Sequence, residues 1–133
     1  MKTYVETGSL PEVLKPYQES FAAADINEVR TLVESLDSRA WAYEDKADLF
    51  IDKLREGVGL ICAAFHPRPV LVRLSDFKSN EYRELLGGSI FEPFEENPMI
   101  AWRGASRYLD EKFRPAFEME IAAMKSVKYD FGL

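Results

Sequence analysis

The hydrophobic pattern of this chain predicts an α/β fold, rich in helix and with short parallel strands. Three observations lead there. Residues 26–36 and 47–65 repeat their apolar side chains at the three- and four-residue spacing of a helix face. Residues 70–74, apart from Arg73, and residues 99–102 are short continuous apolar runs. Both faces of a strand there would need cover, which is the condition of a parallel strand lying between helices. The order helix, helix, strand, helix, strand, helix then fits an alternating layer with right-handed crossovers.

Taken in order, residues 1–9 show no period and are expected as a loose or extended lead-in. Pro11 can open a short helix that Pro16 limits. Asp25 is a good N-cap with Glu28 at the third helical position. Ile26, Val29, Leu32, Val33 and Leu36 share the face that follows, and the helix should end between Asp37 and Arg39. Over residues 47–65, Phe50, Leu54, Val58, Ile61, Cys62 and Phe65 form the clearest stripe in the chain. Gly57 and Gly59 inside it point to close approach by a neighbouring element. His66, Pro67, Arg68 and Pro69 end that helix in a turn. Beyond the first strand, residues 75–80 turn, 81–86 form one or two helical turns stopped by Gly87 and Gly88, and 91–98 read as an irregular connection. Helix is expected after Ser106, interrupted at Pro115, which opens a last helix that carries Phe117, Ile121, Met124 and Val127 or Lys128 as its stripe and has Lys125 and Lys128 suited to its C-terminal dipole.

At 133 residues with 47% hydrophobic content, the chain suits one domain with one core. A net charge of −6 and a pI near 4.9 argue against a nucleic-acid partner. The charge is uneven: 7 basic and 12 acidic residues up to His66 leave −5, while 10 and 11 thereafter leave −1, so anion-binding potential gathers in the second half. The longest nearly apolar run, residues 57–65, falls far short of the roughly 20 residues of a membrane span, and residues 1–10 lack the apolar centre of a secretory signal. No membrane partner is expected. Cys62 is the single cysteine, which excludes an internal disulfide and makes a reducing cytoplasm the expected compartment. With no basic residue on its turn, Cys62 reads as a small buried side chain, and His66 beside prolines reads as a turn or cap residue.

Arg73 and Arg103 sit at the ends of the two apolar runs, where an unpaired guanidinium costs several kcal/mol. Two roles fit such a position. One is an internal ion pair with Asp76, Glu81, Glu95 or Glu96; the other is a site that receives an anion.

The residues around them carry a resemblance. VRLSDFKSNEY (72–82), then the Gly87-Gly88 pair, Glu92-Pro93, EENPM (95–99) and WRGASRY (102–108) occur in an order similar to that of the phosphoenolpyruvate- and pyruvate-binding domain of phosphoenolpyruvate synthases, or pyruvate, water dikinases. It is dense from about Phe65 to Tyr108 and looser to Leu133. The resemblance implies that residues 47–133 are a segment of a (β/α) barrel, with residues 1–46 a helical lead-in. It implies that Arg73 and Arg103 contact the phosphate and carboxylate of phosphoenolpyruvate or pyruvate, since a planar donor fork engages two oxygens at once. Gly104 would let its backbone amide approach the ligand, and Asp76, Asn97 and Arg107 would support the two arginines. Ala101 stands where the family has glycine, and its methyl would narrow the pocket.

The resemblance also implies what this chain lacks. Magnesium and ATP belong to the complete enzyme, whose carboxylate metal ligands, acid/base cysteine and phosphohistidine lie in other segments; neither Cys62 nor His66 matches them. No catalytic residue, metal ligand or cofactor is therefore expected in this chain, and alone it should not turn over substrate. Expected partners are the remaining dikinase domains, or a second copy in a self-associated dimer, because unpaired strand edges favour strand addition. A non-catalytic binding or interaction module derived from the same barrel is the competing expectation.

Overall fold

The computed structural model describes residues 15, 17–97, 99, 100 and 102–133. The lead-in expected over residues 1–9, the helix opened by Pro11 and limited by Pro16, and the effect of Ala101 fall outside them. Within the described residues the helices are α1 (Gln18–Ala23), α2 (Ile26–Arg39), α3 (Lys46–Phe65), α4 (Ser79–Arg83), α5 (Gly88–Phe91), α6 (Ala105–Leu109) and α7 (Arg114–Tyr129).

The long helices start where local chemistry allows. Asp25 accepts from the Asn27 amide at 2.6 Å and Asp45 from the Ala47 amide at 2.9 Å, each satisfying an N–H that has no carbonyl in the first turn. Glu28 does not close a capping box; it accepts from the Ser89 hydroxyl at 2.7 Å and so ties α2 to α5. On α2 the centre of the stripe, Val29, Leu32 and Val33, is buried, while Ile26 and Leu36 at its ends are exposed. The core gathers Tyr17, Phe21, Val29, Leu32 and Ile90, with Ala24 and Phe91 packed against it. Phe91 meets the rings of Tyr17 and Phe21 edge-on, at 5.1 and 5.5 Å between centroids.

Two glycines permit that junction. Gly87 has φ +75°, and a Cβ there would also strike the Leu32 side chain at 2.7 Å, while a Cβ on Gly88 would overlap the Tyr82 carbonyl oxygen. The pair expected to stop a helix at Leu86 therefore starts the next one: α4 already ends at Arg83, and Gly87 is the N-cap of α5.

Helix α3 packs along α7. Close approach occurs at Gly59, where a Cβ would come within 3.0 Å of the Phe131 ring, and not at Gly57. Phe50, Ile61 and Phe65 on the α3 stripe remain exposed and Cys62 is only half-buried. On α7 the buried residues are Glu120, Ala123 and Val127; of the expected stripe Val127 is covered, Phe117, Ile121 and Met124 are half-buried and Lys128 is exposed. Pro115 does stand in the first turn. No described helix is long and apolar enough to cross a membrane.

The expected parallel strands are not formed, and the α/β and (β/α) barrel expectations are corrected with them: the described residues are helical, without strand or sheet. Residues 70–74 are neither helix nor strand, Leu71 is 97% exposed, and none of their backbone groups has a backbone partner among the described residues. A strand exists only against a neighbour that completes its hydrogen bonds, and no described segment lies alongside. Residues 99 and 100 lie in a turn that Asn97 organises, its Oδ1 accepting from Met99 at 3.3 Å and its carbonyl from Ile100 at 3.2 Å.

Candidate functional site

Arg103 is placed by the start of α6. Gly104, its N-cap, holds φ 58° and ψ −136°, a conformation that a Cβ would oppose, and its carbonyl accepts from the amides of Arg107 and Tyr108 at 3.1 Å each. The Ser106 hydroxyl donates to the Arg103 carbonyl at 2.8 Å. From this base the Arg103 guanidinium reaches Asp76 side-on, Nε to Oδ1 at 3.3 Å and Nη2 to Oδ2 at 3.1 Å. Both side chains are about a quarter exposed, at 28% and 27%. Among the described residues the Nη1 end of the Arg103 fork has no hydrogen-bonded partner.

Arg73 is exposed, without a hydrogen bond or ion pair among the described residues. Its charge nevertheless bears on Asp76. The Asp76 carboxyl is held below its ordinary range, first by the hydrogen bonds from Arg103, against a smaller opposing effect of burial, and then by the charges of Arg103 and Arg73. The same pairing raises the Arg103 guanidinium. One carboxylate thus lies in the field of both arginines. Of the internal partners the sequence allowed, Asp76 pairs with Arg103. Glu81 accepts from the Lys78 amide at 2.6 Å, and Glu95 accepts from the Ser79 hydroxyl and from the Trp102 amide at 3.1 Å.

Arg107 and Asn97 are placed differently. The Arg107 side chain is fully buried and forms a bidentate pair with Glu92, Nη1 to Oε1 at 2.6 Å and Nη2 to Oε2 at 2.7 Å. Its Nε and Nη2 also donate to the Trp102 carbonyl at 3.1 and 2.9 Å, and its charge lies 4.2 to 5.0 Å from the ring centroids of Trp102, Tyr82 and Phe113. Arg107 therefore holds the residue immediately before Arg103 and touches neither Asp76 nor Arg73. Asn97 caps its own turn, as described above.

Ser75, between Arg73 and Asp76, is gripped from both sides. Its amide donates to Glu120 Oε2 on α7 at 3.0 Å, and its carbonyl accepts from the Tyr108 hydroxyl on α6 at 2.6 Å. Burial, followed by the charges of Glu120 and Asp76, pushes the Tyr108 phenol up.

Among the described residues no three His, Cys, Asp or Glu side chains gather into a group that could hold a metal ion. A cleft of about 700 Å³ opens between α3 and α7, lined by Ile51, Phe91, Phe113 and Met119 among others, and neither Arg73 nor Arg103 borders it.

The sequence reading missed Glu92, Glu120 and Tyr108. Two of these left a trace. Glu92 interrupts the apolar neighbours Ile90, Phe91 and Phe94, and Glu120 falls at helical spacing between Phe117 and Met124. A carboxylate on an apolar face needs a partner, though its spacing does not say which.

Residues 18–132 match the family described as PEP-utilising enzyme, PEP-binding domain. Among curated proteins the chain is similar to phosphoenolpyruvate synthase of Aquifex aeolicus, 51% identical over 105 residues that cover 79% of this chain and 12% of that protein. It is similar to phosphoenolpyruvate synthase of Synechocystis sp., 58% identical over 89 residues, 67% of this chain and 11% of that protein. For the Escherichia coli phosphoenolpyruvate synthase the figures are 46% over 107 residues, 80% and 13%. The chain spans about an eighth of the length of these relatives. With all seven described α-helices inside the matched span, the chain belongs to the family of PEP-utilising enzymes, as a part of the PEP-binding domain.

Proposed function

We propose that this chain is part of a phosphoenolpyruvate synthase-type phosphotransferase and contributes Arg73 and Arg103 to the binding of the phosphate and carboxylate of phosphoenolpyruvate, or of pyruvate. The observation that carries this reading is the side-on pairing of Arg103 with Asp76. A guanidinium has two bidentate edges. Asp76 takes the Nε/Nη2 edge and orients the group, which leaves the Nη1 end for an anion. Arg73, exposed and within charge range of Asp76, supplies the second cation. A Cβ on Gly104 would meet nothing within 4 Å, so a ligand can approach that backbone.

In this reading the chain binds and orients; magnesium, ATP and the group-transfer chemistry belong to the remaining domains of the complete enzyme. Calorimetric titration with phosphoenolpyruvate tests it. The unmodified chain should bind without turning over ATP and pyruvate, and Arg73→Ala and Arg103→Ala should each weaken binding by roughly ten- to a hundredfold. Identical binding by all three proteins removes the arginines from the site.

A second reading, a non-catalytic interaction module, draws on different residues. Leu71 at 97%, Ile100 at 84% and Leu60 at 68% exposure are large apolar side chains that a partner chain would cover.

A further inference from the structure

Glu120 is a carboxylate almost completely buried in α7, and the anion-binding reading gives it no task. Its hydrogen bond is to the backbone amide of Ser75, 45 residues earlier in the chain. Tyr108 completes the grip by donating to the carbonyl of the same residue. In a sheet, a neighbouring strand would satisfy both groups; here two side chains do so, at the residue that lies between Arg73 and Asp76.

We infer that Glu120 and Tyr108 are positioning residues, a clamp on Ser75 that sets Asp76 against Arg103 and fixes the spacing of the two arginines. The connection is short. Tyr108 belongs to α6, whose N-cap directly follows Arg103, so the donor that holds Ser75 moves with the backbone of Arg103. Glu120 holds the same residue from α7, which packs on α6. With Ser75 held at both its amide and its carbonyl, the carboxylate one residue on is delivered to the side-on edge of Arg103. Releasing Ser75 would free residues 70–76, which make no backbone-to-backbone hydrogen bonds among the described residues. This inference rests on the anion-binding reading for its consequence in ligand affinity, though not for its structural content.

The test uses the full chain and four proteins: unmodified, Tyr108→Phe, Glu120→Ala and Glu120→Gln. Nuclear magnetic resonance follows hydrogen exchange of the Ser75 amide and the titration of the Asp76 carboxyl, and calorimetry follows phosphoenolpyruvate. Tyr108→Phe removes one hydroxyl and keeps the ring, which stacks on Phe117 at 4.8 Å, so it carries the test even where Glu120→Ala fails to fold. Glutamine retains an acceptor for the Ser75 amide. The expected result is a Ser75 amide that exchanges at least roughly tenfold faster in Glu120→Ala and stays protected in Glu120→Gln. Asp76 should titrate closer to an ordinary aspartate in Tyr108→Phe and Glu120→Ala, and phosphoenolpyruvate should bind roughly three- to tenfold more weakly to both. An Asp76 titration that is the same in all four proteins overturns the clamp. Absence of binding by the unmodified chain would instead count against the anion-binding reading, and the exchange and titration results would still decide the clamp.

Discussion

Replacing Arg107 by methionine puts the least exposed charge of the described residues to the test. The side chain is 0% exposed and its partner Glu92 is 7% exposed, so the pair has little water to fall back on. Arg107→Met keeps much of the volume but removes two hydrogen bonds to the Glu92 carboxylate and two to the Trp102 carbonyl. A buried carboxylate left without its cation costs about 3–5 kcal/mol, a large share of the roughly 5–15 kcal/mol that holds a domain folded. Adding Glu92→Met removes the orphaned charge and leaves mainly the under-satisfied Trp102 carbonyl, worth about 1–3 kcal/mol. The double variant should therefore be more stable than the single one. Urea unfolding followed by far-ultraviolet circular dichroism measures both. With a slope of about 1–3 kcal/mol per molar urea, a 4 kcal/mol loss moves the midpoint by roughly 2 M. An Arg107→Met midpoint within about 0.3 M of the unmodified chain would refute the reasoning, as would a double variant no more stable than the single one.

Two further outcomes follow from the same contacts. The Asp76 carboxyl is lowered chiefly by its hydrogen bonds from Arg103. Its stabilisation is thus fully present above the unfolded value of about 3.9 and is lost as pH falls through the lower folded value. Asp76→Asn should melt below the unmodified chain at pH 6 and approach it near pH 2, and a gap that is constant over that range would show that Asp76 contributes no titrating stability. Residues 70–74, without backbone partners and exposed from Leu71 to Arg73, should drive self-association at high concentration, and Leu71→Lys, at a side chain 97% exposed, should suppress it. Light scattering from a monodisperse monomer of the unmodified chain would contradict that expectation.

What could be read without coordinates was what neighbours along the chain decide. A helix closes its hydrogen bonds four residues away, so Asp25 as N-cap, the buried centre of the α2 stripe and Pro115 in the first turn of α7 were all legible, because each depends on residues within two turns. The ordered motifs from VRLSDFKSNEY to WRGASRY likewise identified the family, since several short patterns in one order need no folding to be recognised. Residues 70–74, and the described residues 99, 100 and 102, failed as strands for the complementary reason. A β-branched run is suited to a strand but becomes one only when a second segment presents its amides and carbonyls, and that partner is a tertiary fact. Pairing of charges belongs to the same class. Nothing local distinguishes Glu92 from Glu95 or Glu96 as a partner for arginine, yet only Glu92 meets Arg107, while Asp76 meets Arg103 and Glu120 takes a backbone amide in place of a cation. By itself the sequence determined the long helices α2, α3 and α7, the family and the positions of the candidate arginines. Which carboxylate each arginine meets, and whether an apolar run finds a neighbour, was decided by tertiary structure, because electrostatic and hydrogen-bond partners are chosen by distance in space.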